Sequence, residues 1–489
     1  MKRALLLVCS LILLTSACSS TTTTTAETSV PPLAASPSTT ATTAPPATTA
    51  TPAGYVPPPA TLVDCRAGTP ADYRCYTVRV LVDPTRPDGA TLKLAVTTRR
   101  VDPARWTSPV LSLCSCAENH YVAGPLPPTF YAGHDVVWVD GRGTGLSDGT
   151  VDCPELRKIP GQLGSGNVTA SGLAAIKACF AKAAGSSVPL ASVLDHDVAA
   201  ADIIATRRAL GIDRWAVNTV AAGADIAARL AGTDQDATTA LVVRVPQAVG
   251  HGMTPDTVNK AFESLVADCA ASVSCAKAGD PHAGLATVLG RPSVTTNVTD
   301  GDGSPVVLDK LSAQLGIAGA MANSGLAPIV PMLLAGPDDG GTAAARAFVA
   351  NGYPDPSAAS VASFCQDVDY VFPGTVRTAD SRGGGWVGMS YKHLCDDIGP
   401  VPQMRPLADV TSRTPVLVVL PTYDGRSDVD TARAIFHGFT NLTVLAIPHV
   451  ADPTAQLPCF NAMRTSFVEH PDAKADTSCA DSSTVKTFP

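Results

Sequence analysis

Four sets of residues have the types that hydrolytic chemistry needs. Gly145-Leu146-Ser147-Asp148-Gly149 spells G-x-S-x-G, the turn that lifts a serine nucleophile off a strand end. Such a turn must run from a strand into a helix. Here the next residues are Thr150-Val151-Asp152-Cys153-Pro154, which do not start one, so Ser147 is expected to be structural. His449, in Ile447-Pro448-His449, could serve as a general base or be a loop histidine held by hydrogen bonds. Asp424, in Leu420-Pro421-Thr422-Tyr423-Asp424, could orient such a base or cap a loop. Cys114-Ser115-Cys116 ends an apolar run. A cysteine nucleophile there would need a free thiolate and a base, and outside the cytoplasm a disulfide is the expected state. No CxxC pair with histidine partners occurs, so no metal site is expected, and no cofactor is implied.

The N-terminus indicates where the chain works. Lys2 and Arg3 precede an apolar run, Ala4 to Leu14, that is too short to span a bilayer. Thr15-Ser16-Ala17-Cys18 comes next and resembles a lipobox, with its leucine one place early at Leu14. Residues 1–17 are therefore expected to be a lipoprotein signal peptide, cut before a Cys18 that takes a diacylglycerol. Residues 18–60 are almost all Thr, Ala, Pro and Ser, and are expected to form a disordered tether. The membrane is thus an expected partner, through lipidated Cys18, at the outer face of the cytoplasmic membrane. Of 14 cysteines, Cys9 leaves with the signal and Cys18 is lipidated. The remainder is even in number, which in an exported chain reads as disulfides. Formal charge is −8, so a basic footprint is missing and no nucleic-acid partner is expected.

Elements that could position these residues are legible in the rest. Residues 76–83 and 91–98 alternate apolar and polar around Pro87-Asp88-Gly89, a hairpin pattern. Apolar runs at 109–114, 135–139, 215–220, 240–245, 415–420 and 442–447 read as buried parallel strands. Helices are expected over 195–210, with Gly211 just past its end, and over 429–436. The order predicts an α/β fold: a doubly wound, mostly parallel sheet, with a helical cap over 250–400 between core segments 61–249 and 401–489. Ligands of such sheets bind at the C-terminal strand ends.

Several segments carry a family resemblance. Val82-Asp83-Pro84 with Pro87-Asp88-Gly89 and Leu92-Lys93-Leu94-Ala95-Val96 is similar to "PLDYxxPxGxTIxLAV". Val139-Asp140-Gly141-Arg142-Gly143-Thr144-Gly145-Leu146-Ser147 is similar to "FDPRGTGRS". Asp197-Val198, Asp202, Arg207 and Ala209-Leu210-Gly211 fall on "TADVARDLDALRAALG". Thr414 to Leu417 and onward to Pro458-Cys459 resembles the same proteins' C-terminal part. The chain in this way resembles the bacterial tripeptidyl-aminopeptidase-like, proline iminopeptidase-related α/β-hydrolases.

The resemblance implies an α/β-hydrolase fold and a Ser-His-Asp triad that cuts peptide bonds. Aligned on Trp215–Val220, the nucleophile motif falls on Thr219-Val220-Ala221-Ala222-Gly223. Ala221 stands where the serine belongs and has no hydroxyl to activate. Thr219 replaces the first glycine, which predicts that the strained elbow geometry is lost. The family's glycine-rich oxyanion loop falls on Leu113-Cys114-Ser115-Cys116-Ala117-Glu118-Asn119-His120, without a glycine. Asp424 and His449 match the acid and base positions. With proximity along the chain, the resemblance implies disulfides Cys65–Cys75, Cys153–Cys179, Cys269–Cys275, Cys365–Cys395 and Cys459–Cys479, leaving Cys114 and Cys116. The expected function is a membrane-anchored pseudo-hydrolase whose cleft binds a peptide, a lipid or a partner protein. The alternative is an active hydrolase with its nucleophile moved to Ser147, Ser115 or Cys116.

Overall fold

The computed structural model describes residues 55–114, 133–165, 168–291, 293–323, 325–336, 405–452, 458–481 and 488, together with 358, 361 and 362. The expected signal, Cys18, most of the tether, Ser115 to His120, Cys365 and Cys395 lie outside the described residues. Contacts separate Met1–Thr48 from Thr49–Pro489, and the second unit holds all the described residues. Tyr55, at the end of the expected tether, already donates its hydroxyl to the Arg79 carbonyl at 2.9 Å.

Eleven strands are defined among the described residues. They are β1 (Thr61–Val63), β2 (Tyr73–Leu81), β3 (Thr91–Arg99), β4 (Val110–Cys114), β5 (Val136–Val139), β6 (Trp215–Val220), β7 (Thr238–Arg244), β8 (Ser293–Thr299), β9 (Pro305–Asp309), β10 (Val416–Pro421) and β11 (Leu442–Ile447). The main sheet runs β1-β2-β3-β5-β4-β6-β7-β10-β11. Pairing is antiparallel from β1 through β3 to β5 and parallel from β5 to β11. The fourth and fifth strands are exchanged, and β3 lies antiparallel beside β5 within the sheet. This is the α/β-hydrolase fold. The hairpin expected around Pro87-Asp88-Gly89 is β2–β3, in register Val80 to Leu92.

The helices that position the site are α1 (Ala170–Ala184), α2 (His196–Ala209), α3 (Gly223–Thr233), α4 (Pro255–Ala271), α5 (Pro281–Gly290), α6 (Lys310–Ala322), α7 (Val330–Ala335), α8 (Val429–Ile435) and α9 (Pro458–Glu469). They cover both sheet faces, which explains why β6, β7 and β10 read as continuous apolar runs. Val217, Leu241, Val243, Val416 and Val418 pack against Ile203 and Ile204 of α2 and Ile226 and Leu230 of α3. The alternate residues Ala216, Ala240, Val242, Leu417 and Val419 pack against Phe460, Met463 and Phe467 of α9. Each large apolar side chain so buried contributes about 1.5–3 kcal/mol. Helix α2 starts on Asp195, whose carboxylate accepts from the Asp197 and Val198 amides, and ends before Gly211 at φ +65°.

The insertion after β7 corrects one expectation. It holds α4 to α7, but β8 and β9 interrupt the helices as an antiparallel hairpin, so the cap is not purely helical. Ser293-Val294-Thr295-Thr296 is rich in β-branched residues, and Asp302-Gly303 turns the chain with Gly303 at φ +82°. The cap has its own core of Phe262, Leu265, Leu285, Val306, Leu308, Ile317 and Met321, and Tyr423 and Ala451 of the sheet loops enter it. Helix α4 therefore packs on the loops beyond β10 and β11.

Three of the expected disulfides are formed: Cys65–Cys75, Cys153–Cys179 and Cys269–Cys275. Cys459 is disulfide-bonded, while the Cys479 side chain lies outside the described residues.

One buried ion pair ties the first half of the sheet to α2. Arg142, 3% exposed, donates Nε and Nη2 to the Asp202 carboxylate at 2.8 and 2.7 Å, and it also donates to the Leu81 and Val82 carbonyls. Removing one partner strands the other charge in the core. We expect Asp202→Ala to cost about 3–5 kcal/mol in urea unfolding, and a loss below about 1 kcal/mol would contradict this role.

Candidate functional site

Ala221 is the first residue beyond β6, and α3 begins at Gly223. Its φ is +51°, left-handed backbone that costs a residue other than glycine about 1–3 kcal/mol. Both of its backbone groups are engaged. Its N–H donates to the Arg244 carbonyl at 3.1 Å, and its carbonyl accepts from Ala224 at 3.0 Å and Gln247 at 3.1 Å. The strand–turn–helix elbow is thus intact, contrary to the expectation drawn from Thr219. The reason is local: Thr219 sits inside β6, paired with Leu113 and Val243, where a β-branched side chain fits the pleat. Its buried hydroxyl has no hydrogen-bond partner among the described residues. The elbow presents a methyl group where a hydrolase presents an oxygen.

His449 lies just beyond β11 and also has a positive φ, +62°. Its amide donates to Thr422 Oγ1 at 3.1 Å, while Thr422 and Tyr423 donate their amides to Ile447 and Val450, which zips the β10 and β11 loops together. Its ring, 31% exposed, places Nδ1 2.7 Å from Asp268 Oδ2. The Tyr423 hydroxyl donates to the same oxygen at 2.5 Å. Burial first, then the hydrogen bond to Asp268 and its charge, raise the Tyr423 phenol far above its ordinary range, so it keeps its proton. Asp268 belongs to α4 and was not singled out from sequence. A signal existed: Val258, Ala261, Phe262, Leu265 and Cys269 form the buried stripe of α4, and Asp268 lies on that stripe, three residues after Leu265.

Asp424 is placed differently from its expected role beside His449. It is 2% exposed, and its carboxylate accepts from Arg426: Nε at 2.9 and 3.1 Å, Nη2 at 2.5 Å and the backbone amide at 3.0 Å. Arg426 reaches on to Asp452 at 3.3 Å, and Asp452 pairs with Arg244. Four alternating charges thereby link the C-terminal ends of β7, β10 and β11. Arg244 is the residue whose carbonyl holds the Ala221 amide, so this chain of ion pairs abuts the elbow.

Ser147 is 5% exposed. Its hydroxyl donates to the Asp140 carbonyl at 2.6 Å and accepts from the Ala95 amide at 2.9 Å, tying its loop to β3. Ser115 and Cys116 lie outside the described residues, as does the Cys114 side chain. Among the described residues there is no group of three metal-ligating side chains, and no helix is long and apolar enough to cross a membrane. Behind the elbow, buried Asp225 of α3 accepts from Arg229 Nε at 2.6 Å and the Val249 amide at 3.0 Å, with His196 Nδ1 3.1 Å away. This cluster braces α3 against α2.

The positive φ at Ala221 makes a stability prediction whose sign is informative. Ala221→Gly removes the left-handed penalty and adds only the flexibility cost of glycine, about 0.5–1 kcal/mol. A net gain of about 1 kcal/mol in urea unfolding is expected, and a loss would mean that no strain is stored there.

No family profile matches the chain, and no curated protein matches it in sequence. Similar solved structures include a proline iminopeptidase from Mycobacterium smegmatis, 14% identical, covering 78% of this chain and 96% of that one with a TM-score of 0.37. A proline iminopeptidase-related protein from Thermus thermophilus is 14% identical over 82% of this chain and 100% of its own, TM-score 0.32. An α/β-hydrolase-fold protein from Chitinophaga pinensis is 13% identical over 82% of this chain and 98% of its own, TM-score 0.34.

Proposed function

We propose that this chain is a pseudo-hydrolase: a lipid-anchored domain at the outer face of the cytoplasmic membrane that binds through the former active-site cleft and does not cut. One observation carries the reading. The left-handed elbow after β6 is built and held from both sides, and the residue on it is Ala221, which has no nucleophilic atom. A peptidase ancestry accounts for an elbow whose strain serves no alanine. The chemistry of peptide hydrolysis also needs donors facing the oxyanion, and the glycine-free Leu113–His120 segment argues against them. A nucleophile moved to Ser147 is disfavoured, because that hydroxyl already donates to Asp140 and accepts from Ala95. The cleft is proposed to take a peptide, a lipid or a protein partner.

Fluorophosphonate probes test the inactive reading, since they label only activated serines. The purified protein is expected to stay unlabelled. Specific labelling of the folded protein, whether or not it survives Ser147→Ala, would overturn the proposal. The anchor is tested in cells: Cys18→Ala is expected to release the protein from the membrane fraction and abolish incorporation of a labelled fatty acid. Unchanged fractionation and incorporation would remove the lipid from the account.

A further inference from the structure

We infer that Asp268, brought in by the inserted helix α4, is the residue that positions the His449 imidazole, with Tyr423 fixing Asp268 in turn. The inference rests on the reading of His449 as the base position of this site. It replaces the acid after β10 with one from the cap.

Three independent features support it. Nδ1 of His449 lies at hydrogen-bond distance from Asp268, and Asp424 spends its carboxylate on Arg426. A carboxylate cannot donate, so Nδ1 carries the proton and Nε2 is left as the acceptor in the neutral ring. Among the described residues Nε2 has no protein partner, and the ring is partly exposed. Second, Asp268 Oδ2 receives two donors, one from the Tyr423 phenol and one from His449, which sets the direction of the carboxylate as well as its contact.

Third, α4 is locked against the loop beyond β10. Thr257 donates its hydroxyl to the Gly425 carbonyl at 2.6 Å, and Lys260 pairs with Asp428 at 2.7 Å. Position 425 must be glycine for this approach, because a Cβ there would lie 2.7 Å from the Val258 Cα. The neighbouring Cys269–Cys275 disulfide ties down the end of the helix that carries Asp268. The cap therefore completes the site instead of merely covering it. The other charges of these loops, Asp424, Arg426, Asp452 and Arg244, pair with one another.

The consequence for binding is that His449, in its neutral form, offers Nε2 as an acceptor of fixed direction. A ligand seated there would present an N–H or O–H donor, as an amine or hydroxyl does. Nitrogen-15 NMR of the full exported domain with labelled histidine reads this directly at a pH where the ring is neutral. Wild type is expected to show His449 with its proton on Nδ1, and Asp424→Asn is expected to leave that signature in place. Asp268→Ala is expected to lose it, and Asp268→Asn, which keeps an acceptor oxygen, to retain part of it. Loss of the signature in Asp424→Asn with retention in Asp268→Ala would overturn the inference. Should Asp268→Ala not fold, wild type still decides, because a proton on Nε2 there is incompatible with the proposed arrangement. The readout is independent of turnover, so it stands or falls separately from catalytic inactivity.

Discussion

Left-handed backbone at Ala221 is the constraint around which the site is arranged. Strand β6 lies between β4 and β7 in the parallel part of a sheet covered on both faces, and α3 must pack back against that sheet within two residues. The chain meets this demand with a tight turn whose N–H is held by Arg244 and whose carbonyl is held by Ala224 and Gln247. The turn costs conformational energy, and the cores on both faces of the sheet supply far more than is needed to keep it. A scaffold of this kind keeps its geometry whichever residue stands on the turn, because the packing that imposes the geometry serves stability first.

The same packing explains why the neighbour of His449 is a residue of the cap. The loops after β10 and β11 are fastened to each other by Thr422 and Tyr423, and to α4 by Thr257, Lys260 and the Tyr423–Asp268 bond. Tyr423 and Ala451 lie in the core of the cap. Those loops therefore belong to the cap as much as to the sheet. Once Asp424 is committed to Arg426, the carboxylate that reaches His449 comes from the cap.

Much of the fold was legible in the sequence because it is periodic. The β2–β3 hairpin, the six parallel strands and α2 with Gly211 at its end are read from alternation, apolar runs and turn residues within a few positions of where they stand. The β8–β9 hairpin was not expected, because Ser293 to Thr299 lies in a stretch dominated by helical segments. Ala221 was legible as a missing hydroxyl through the resemblance, but its backbone was not: Thr219 suggested a spoiled elbow, and the sheet absorbs that side chain as an ordinary strand residue. Asp268 and Arg244 escaped for a different reason. Their partners are distant along the chain, 181 positions for Asp268 with His449 and 208 for Arg244 with Asp452, and no local pattern announces such pairs.

An intact elbow with an alanine on it and a glycine-free Leu113–His120 sequence are the two features from which we propose that this hydrolase fold does not cut. The measurement that tests this most directly is turnover of Ala221→Ser on small aminoacyl and acyl substrates. The account predicts none above the wild-type background, because the glycine-free Leu113–His120 sequence argues against a complete set of oxyanion donors around a hydroxyl placed there. Turnover restored by that single substitution would contradict it, since the rest of the catalytic site would then have to be complete.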